Sequence, residues 1–97
     1  MVTKKEILNK LNQVNDPELA VSIVDLGLIY EIKIKEKVYI KMTFTTPACP
    51  MMNYMLQQVK EKLDEIEGVD IEVDIVFDPP WTPERMSKKA KMKLGIL

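Results

Sequence analysis

Three stretches of the chain alternate apolar and polar residues, and three others space their apolar residues at helical intervals. From Tyr30 the alternation is clean: Tyr30, Ile32 and Ile34 take one face, and Glu31, Lys33 and Lys35 the other, which predicts a strand. Glu36-Lys37 is a short polar break, read as a tight hairpin. The next strand then turns Val38, Ile40, Met42 and Phe44 inward and Tyr39, Lys41 and Thr43 outward. A third strand, over residues 69–77, sets Ile71, Val73, Ile75 and Phe77 opposite Asp70, Glu72 and Asp74. One apolar and one polar face imply a sheet covered on a single side. The three acids, at period two on a half-exposed strand, read as solvent-facing charges rather than as a hard-metal site. Strand order stays open: the third strand lies either parallel beside the second through a crossover or antiparallel beside the first.

Helical spacing appears first in Ile7, Leu11 and Val14, behind a capping box formed by Thr3 and Glu6. This helix is expected to end by Asn15 or Asp16, because Pro17 disfavours helical geometry in the residue before it. Asp16 before Pro17 has the form of a cap before a first helical position, with Glu18 as a first-turn acid, and a single helical turn fits there. Residues 20–24 follow neither period, and Asp25-Leu26-Gly27 is a turn signal. Met52, Met55, Leu56, Val59, Leu63 and Ile66 make the face of a second helix, with Gly68 as its C′ residue. Asp78-Pro79-Pro80-Trp81 is a stiff turn; Thr82 and Pro83 then cap a last helix that continues through Met86 and Ala90. Trp81, the only tryptophan, is expected to plug the end of the core rather than serve as a binding platform. The result is an α+β fold in two layers, helix-strand-strand-helix-strand-helix, with a three-stranded sheet and the helices on one face. A chain of 97 residues has the length of one domain, so residues 1–97 are read as a single unit.

Composition narrows what such a fold can do. Formal net charge is −1, so no global positive field points to nucleic acid. No apolar stretch is long enough to span a bilayer, and no N-terminal run has the form of a signal peptide. The single cysteine cannot form an internal disulfide and fits a reducing, cytoplasmic setting. There is no histidine, which excludes a Cys–His or Ser–His nucleophile pair and a Cys/His zinc site within one chain. An enzyme is therefore not expected. One thiolate also cannot hold an iron–sulfur cluster by itself, since such clusters usually take four.

That cysteine lies in Thr45-Thr46-Pro47-Ala48-Cys49-Pro50, between the second strand and the second helix. Pro50 suits a first helical position, which makes Cys49 the expected N-cap, its sulfur beside the unpaired N–H groups of the helix. A thiol in that position has a lowered pKa and more of the thiolate that attacks or binds metal. The competing reading is a free cysteine packed as a small hydrophobe. Thr45 and Thr46 have their own plain role, capping loop backbone at the strand end.

Four segments, in order, carry a resemblance: Asp16-Pro17-Glu18, Asp25-Leu26-Gly27-Leu28-Ile29, the Thr45 to Pro50 motif and Asp78-Pro79-Pro80-Trp81. Together they make the chain similar to metal–sulfur cluster biosynthetic proteins of the SufT/PaaD-like kind, the domain of unknown function numbered fifty-nine. The resemblance covers nearly the whole chain. It implies the iron–sulfur-cluster-assembly type of α+β domain and a role in iron–sulfur protein maturation, by cluster carriage or by recruitment of clients. Carried onto matching positions, it implies Cys49 as the cluster- or metal-binding residue, supported by Asp16, Glu18, Thr45 and Thr46. The cofactor implied is an iron–sulfur cluster or iron, held transiently and shared with another subunit or a partner. The implied partners are the assembly machinery, apo client proteins and a second copy of the chain in a homodimer. Two alternatives stand beside this: a K-homology-like nucleic-acid module, disfavoured by the absence of a Gly-x-x-Gly loop, and a PaaD-like factor serving an oxygenase complex.

Overall fold

A computed structural model describes residues 2–17, 19–45, 51–66 and 68–95. Helix α1 (Lys4–Leu11) starts where the capping box places it, with the Thr3 hydroxyl accepting from the Glu6 N–H at 3.2 Å. It ends earlier than Pro17 alone requires, with Asn12 as C-cap. Val14 is buried beyond the helix end instead of on it. Strands β1 (Ile29–Ile34) and β2 (Val38–Met42) form the expected antiparallel hairpin. Its loop is residues 35–37, one longer than expected, closed by the Lys35 N–H on the Lys37 carbonyl at 3.0 Å.

Helix α2 (Met52–Leu63) buries Met55, Val59 and Leu63 and leads to β3 (Ile71–Ile75). The order across the sheet is β1-β2-β3, with β2 and β3 parallel, so α2 is the crossover that the sequence left open. Two boundaries differ from expectation. Met51, not Cys49, holds the N-cap position of α2, and its carbonyl accepts the first helical bond from Met55 at 2.9 Å. At the other end Asp64 is the C-cap, so Gly68 (φ +74°) belongs to the turn into β3 rather than to the helix end. The expected last helix is divided into a 3₁₀ turn, η1 (Pro83–Arg85), and α3 (Lys88–Lys93), which has its own cap in Ser87. Met86 between them is extended and buried, which interrupts the helix.

The core runs between sheet and helices and joins Ile7 and Leu11 of α1, Val38, Ile40 and Met42 of β2, Phe44, and the buried face of α2. On the open face Glu31 bridges Lys33 (3.3 Å) and Lys41 (3.7 Å), and Asp70, Glu72 and Asp74 are exposed as expected. A register shift between Ile29 and Glu31 displaces Tyr30 from the simple alternation. Thr43, expected outward, is fully buried; its N–H donates to Leu28 O at 2.8 Å, which continues the hairpin ladder one step past the strand ends.

Lys10 of α1 meets Glu65, just past α2, at 2.7 Å, with Lys62 3.6 Å away. The Lys10 hydrogen bond, then the charges of Lys10 and Lys62, hold the Glu65 carboxyl below its ordinary value. A depressed folded pKa stabilises the fold above the unfolded pKa, and this is lost as pH falls through the folded value. Lys10→Met is therefore expected to raise the Glu65 pKa in a carboxyl NMR titration and to soften the acid limb of stability. An unmoved Glu65 would show that the pair is not formed in solution. Glu65 is exposed and Lys10 only half-buried, so the effect on stability is small.

Candidate functional site

The segments between the regular elements meet at one turn, residues 22–28. Ser22 opens it: its hydroxyl accepts from the Asp25 N–H at 3.0 Å and donates to Asn12 Oδ1 at 2.6 Å. Gly27 closes it in the left-handed region (φ +77°), with Gly27 N–H on Val24 O and Leu28 N–H on Ile23 O, both at 3.0 Å. That pair of bonds is the Schellman ending of a helical turn, and its usual apolar contact is supplied by Ile23 and Leu28, both fully buried. Ser22-Ile23-Val24-Asp25 has the form of a capping box, a signal in the sequence that the turn reading of Asp25-Leu26-Gly27 passed over.

Residues 79–87 are fastened to this turn and to the start of β1. Trp81 donates its indole N–H to Leu26 O at 2.7 Å and packs on the core, so it is the expected plug. Tyr30 donates its hydroxyl to Pro79 O at 2.8 Å, while the Arg85 guanidinium lies 4.4 Å over its ring. The Ser87 N–H donates to Asp25 O at 2.7 Å. On the other flank, Asn15 bridges Ser22 in an antiparallel pair, which positions the Asp16 loop.

Asp16 is buried and acts as the cap read from the sequence: its Oδ1 accepts from the Leu19 N–H at 3.0 Å. Its main chain holds the loop shut through Val21 O and the Ala20 N–H, with Ala20 at φ +56°. Lys93 of α3 reaches across to Ala20 O at 2.7 Å, which ties α3 to this loop. A polar pocket of about 230 Å³ lies between this loop and α3, bordered by Asn12, Asn15, Lys89 and Lys93.

Thr45 is half-buried at the bend after Phe44, and half-buried Met51 opens α2. These two residues bracket the segment that carries the cysteine. Because β2 and β3 are parallel, this segment leaves from the same edge of the sheet as residues 76–81, outside the carboxyl ends of the two strands. Ligands of α/β crossovers commonly bind at that edge. Of the five expected site residues, Asp16 and Thr45 are placed, each on a segment flanking the 22–28 turn; Glu18, Thr46 and Cys49 lie outside the described residues. Among the described residues no group of three or more acids, cysteines or histidines is arranged to hold a metal. No helix among them is long and apolar enough to cross a membrane.

The class defined by this geometry is a two-layer α+β domain with a parallel strand pair joined by a crossover helix, and the one cysteine of the chain falls in sequence between that strand and that helix. The chain belongs to the family described as iron–sulfur cluster assembly protein, whose model matches residues 4–94. It is similar to the Fe-S protein maturation auxiliary factor YitW of Bacillus subtilis, 45% identical over 96% of this chain and 94% of that protein. It is also similar to the Fe-S protein maturation auxiliary factor SufT of Staphylococcus aureus, 44% identical over 84% of this chain and 96% of that one. A crystal structure of a domain of unknown function (DUF59) from Bacillus anthracis superposes with a TM-score of 0.88 at 41% identity, covering 97% of this chain and 92% of that chain. The SufT-like resemblance and the α+β fold both stand on these matches.

Proposed function

We infer that this chain is a non-enzymatic maturation factor for iron–sulfur proteins, acting in the cytoplasm with the assembly machinery and with apo client proteins. The family match along residues 4–94 carries this reading. Cys49 is the group that engages the cargo, iron or an iron–sulfur cluster, through its thiolate. Asp16, Glu18, Thr45 and Thr46 support it: hydroxyls can donate to a cluster sulfide or thiolate and tune it. With one cysteine and no histidine in the chain, the remaining ligands come from a second copy, a small thiol or the client. Sharing of this kind suits a factor that must release what it holds.

The test is Cys49→Ser. The change in side-chain volume is small, so stability should shift by no more than about 1 kcal/mol. Client cluster content in a cell lacking the native copy should fall to the level of the empty strain. Iron and sulfide analysis of anaerobically purified protein should show the same loss. A variant that unfolds, or that fully restores client maturation, would make Cys49 a packing residue and overturn the thiolate mechanism.

A further inference from the structure

Strand β3 is an edge strand with its outer side open. It pairs with β2 alone, and among the described residues no other backbone group bonds to residues 71–75. Val38 N–H donates to Asp70 O and Val76 N–H to Met42 O, which assigns the even-numbered residues 70–76 to the inner ladder. Alternation along the strand then turns the N–H and C=O groups of Ile71, Val73 and Ile75 outward. The side chains of these three residues lie on the core face but are only half-buried, while their register partners Val38, Ile40 and Met42 are buried. Beside them is a groove of about 180 Å³ between β3 and α2, lined by Lys60, Leu63, Asp64, Ile71 and Val73.

Proteins usually blunt an exposed edge with a bulge, a proline or a cover. The opposite edge, β1, has such a bulge at Ile29/Glu31. In contrast, β3 keeps an unbroken register with β2 and contains no proline. An open edge beside a helix, over a half-exposed apolar floor, is the geometry that accepts an added strand.

The charge pattern names the occupant. Asp70, Glu72 and Asp74 are exposed in a row on the open face. Among the described residues, only Glu72 of the three has an internal cation, Lys37 at 3.8 Å; Lys41, opposite Asp74 in the register, pairs with Glu31 instead. A second copy docked by its own β3 about a two-fold axis would set this acidic row against itself, and like charges across strands are destabilising. A strand bearing lysine or arginine at those positions is complementary. We propose that the outer edge of β3, with its groove against α2, takes up an extended segment of a partner protein in which apolar residues alternate with lysine or arginine, adding a fourth strand to the sheet. This goes beyond the maturation reading and uses neither Cys49 nor iron.

The probe is a capped heptapeptide alternating lysine and valine, with a glutamate–valine peptide as control, added to the full-length ¹⁵N-labelled chain. The lysine peptide should shift and slow exchange of the Ile71, Val73 and Ile75 amides, while the glutamate peptide leaves them unchanged. The double variant Glu72→Lys with Asp74→Lys alters only exposed side chains; it should weaken the lysine peptide about tenfold and admit the glutamate peptide. Val73→Pro, which removes an outward donor from the edge, should abolish binding in a chain that still shows its native amide spectrum. Equal binding of both peptides, shifts centred away from β3, or sedimentation showing that the chain covers this edge with its own second copy would each overturn the proposal. Cys49→Ser should bind the lysine peptide normally, so failure here is separable from failure of the thiolate reading.

Discussion

Gly27→Ala is expected to cost about 3 kcal/mol, far more than a surface substitution. Two effects add. A side chain in the left-handed region costs roughly 1–2 kcal/mol, because Cβ crowds the following carbonyl. A Cβ built on Gly27 would also lie 2.3 Å from the Arg85 carbonyl oxygen and 2.7 Å from its carbonyl carbon. Those are backbone atoms, so the 3₁₀ turn at Pro83–Arg85 must move, straining the bonds from Trp81 to Leu26 and from Ser87 to Asp25. Overpacking of this kind adds about 1–3 kcal/mol. Gly68→Ala is the control: its φ is nearly the same, +74°, but nothing lies within 4 Å of its added Cβ. It should cost only the backbone term, roughly 1–2 kcal/mol. Urea melts of the two variants measure the difference. If they lose equal stability, the close approach of Arg85 is not what makes glycine necessary at position 27.

Phe44→Ala is expected to be more damaging still, at about 3–5 kcal/mol. Phe44 is the largest of the fully buried side chains, at the point where β2 gives way to the cysteine-bearing segment. Removing its ring leaves a cavity in the buried core that the surrounding side chains fill only in part. At about 4–8 °C per kcal/mol for a domain of this size, the melting temperature should fall by at least about 12 °C. Total stabilities are only about 5–15 kcal/mol, so much of the chain would be unfolded at growth temperature. Client maturation would then fail with Cys49 untouched. Calorimetry of Phe44→Ala beside Cys49→Ser separates loss of fold from loss of chemistry. A melting temperature within a few degrees of the parent would mean that Phe44 is not the keystone its burial indicates.

Local periodicity in the sequence was enough to place the three strands, the buried stripe of α2, the cap on α1 and the Asp16 cap. Each depends on residues within a few positions of one another: Ile32 lies between Glu31 and Lys33, Ile40 between Tyr39 and Lys41, and Asp16 needs only Pro17 and Leu19 to make its cap. Trp81 was legible as a plug because a lone indole rarely stays in water. The sequence motifs also located the cysteine-bearing segment between β2 and α2, although its thiol falls outside the described residues.

Only the tertiary structure decided how these pieces are joined. Whether β3 lies beside β1 or β2 depends on where α2 packs, which no local period encodes; the outcome is a parallel β2–β3 pair with an open outer edge. Thr43 reads as outward from alternation, yet it is fully buried, with its N–H bonded to Leu28 O at the end of a turn distant in sequence. Glycine at position 27 could be read as a turn residue, but its other constraint comes from a carbonyl 58 residues further on, Arg85 minus Gly27. Local pattern determines which residues seek burial or a cap. The three-dimensional packing determines which distant backbone covers them, because that choice rests on contacts between segments that only the folded chain brings together.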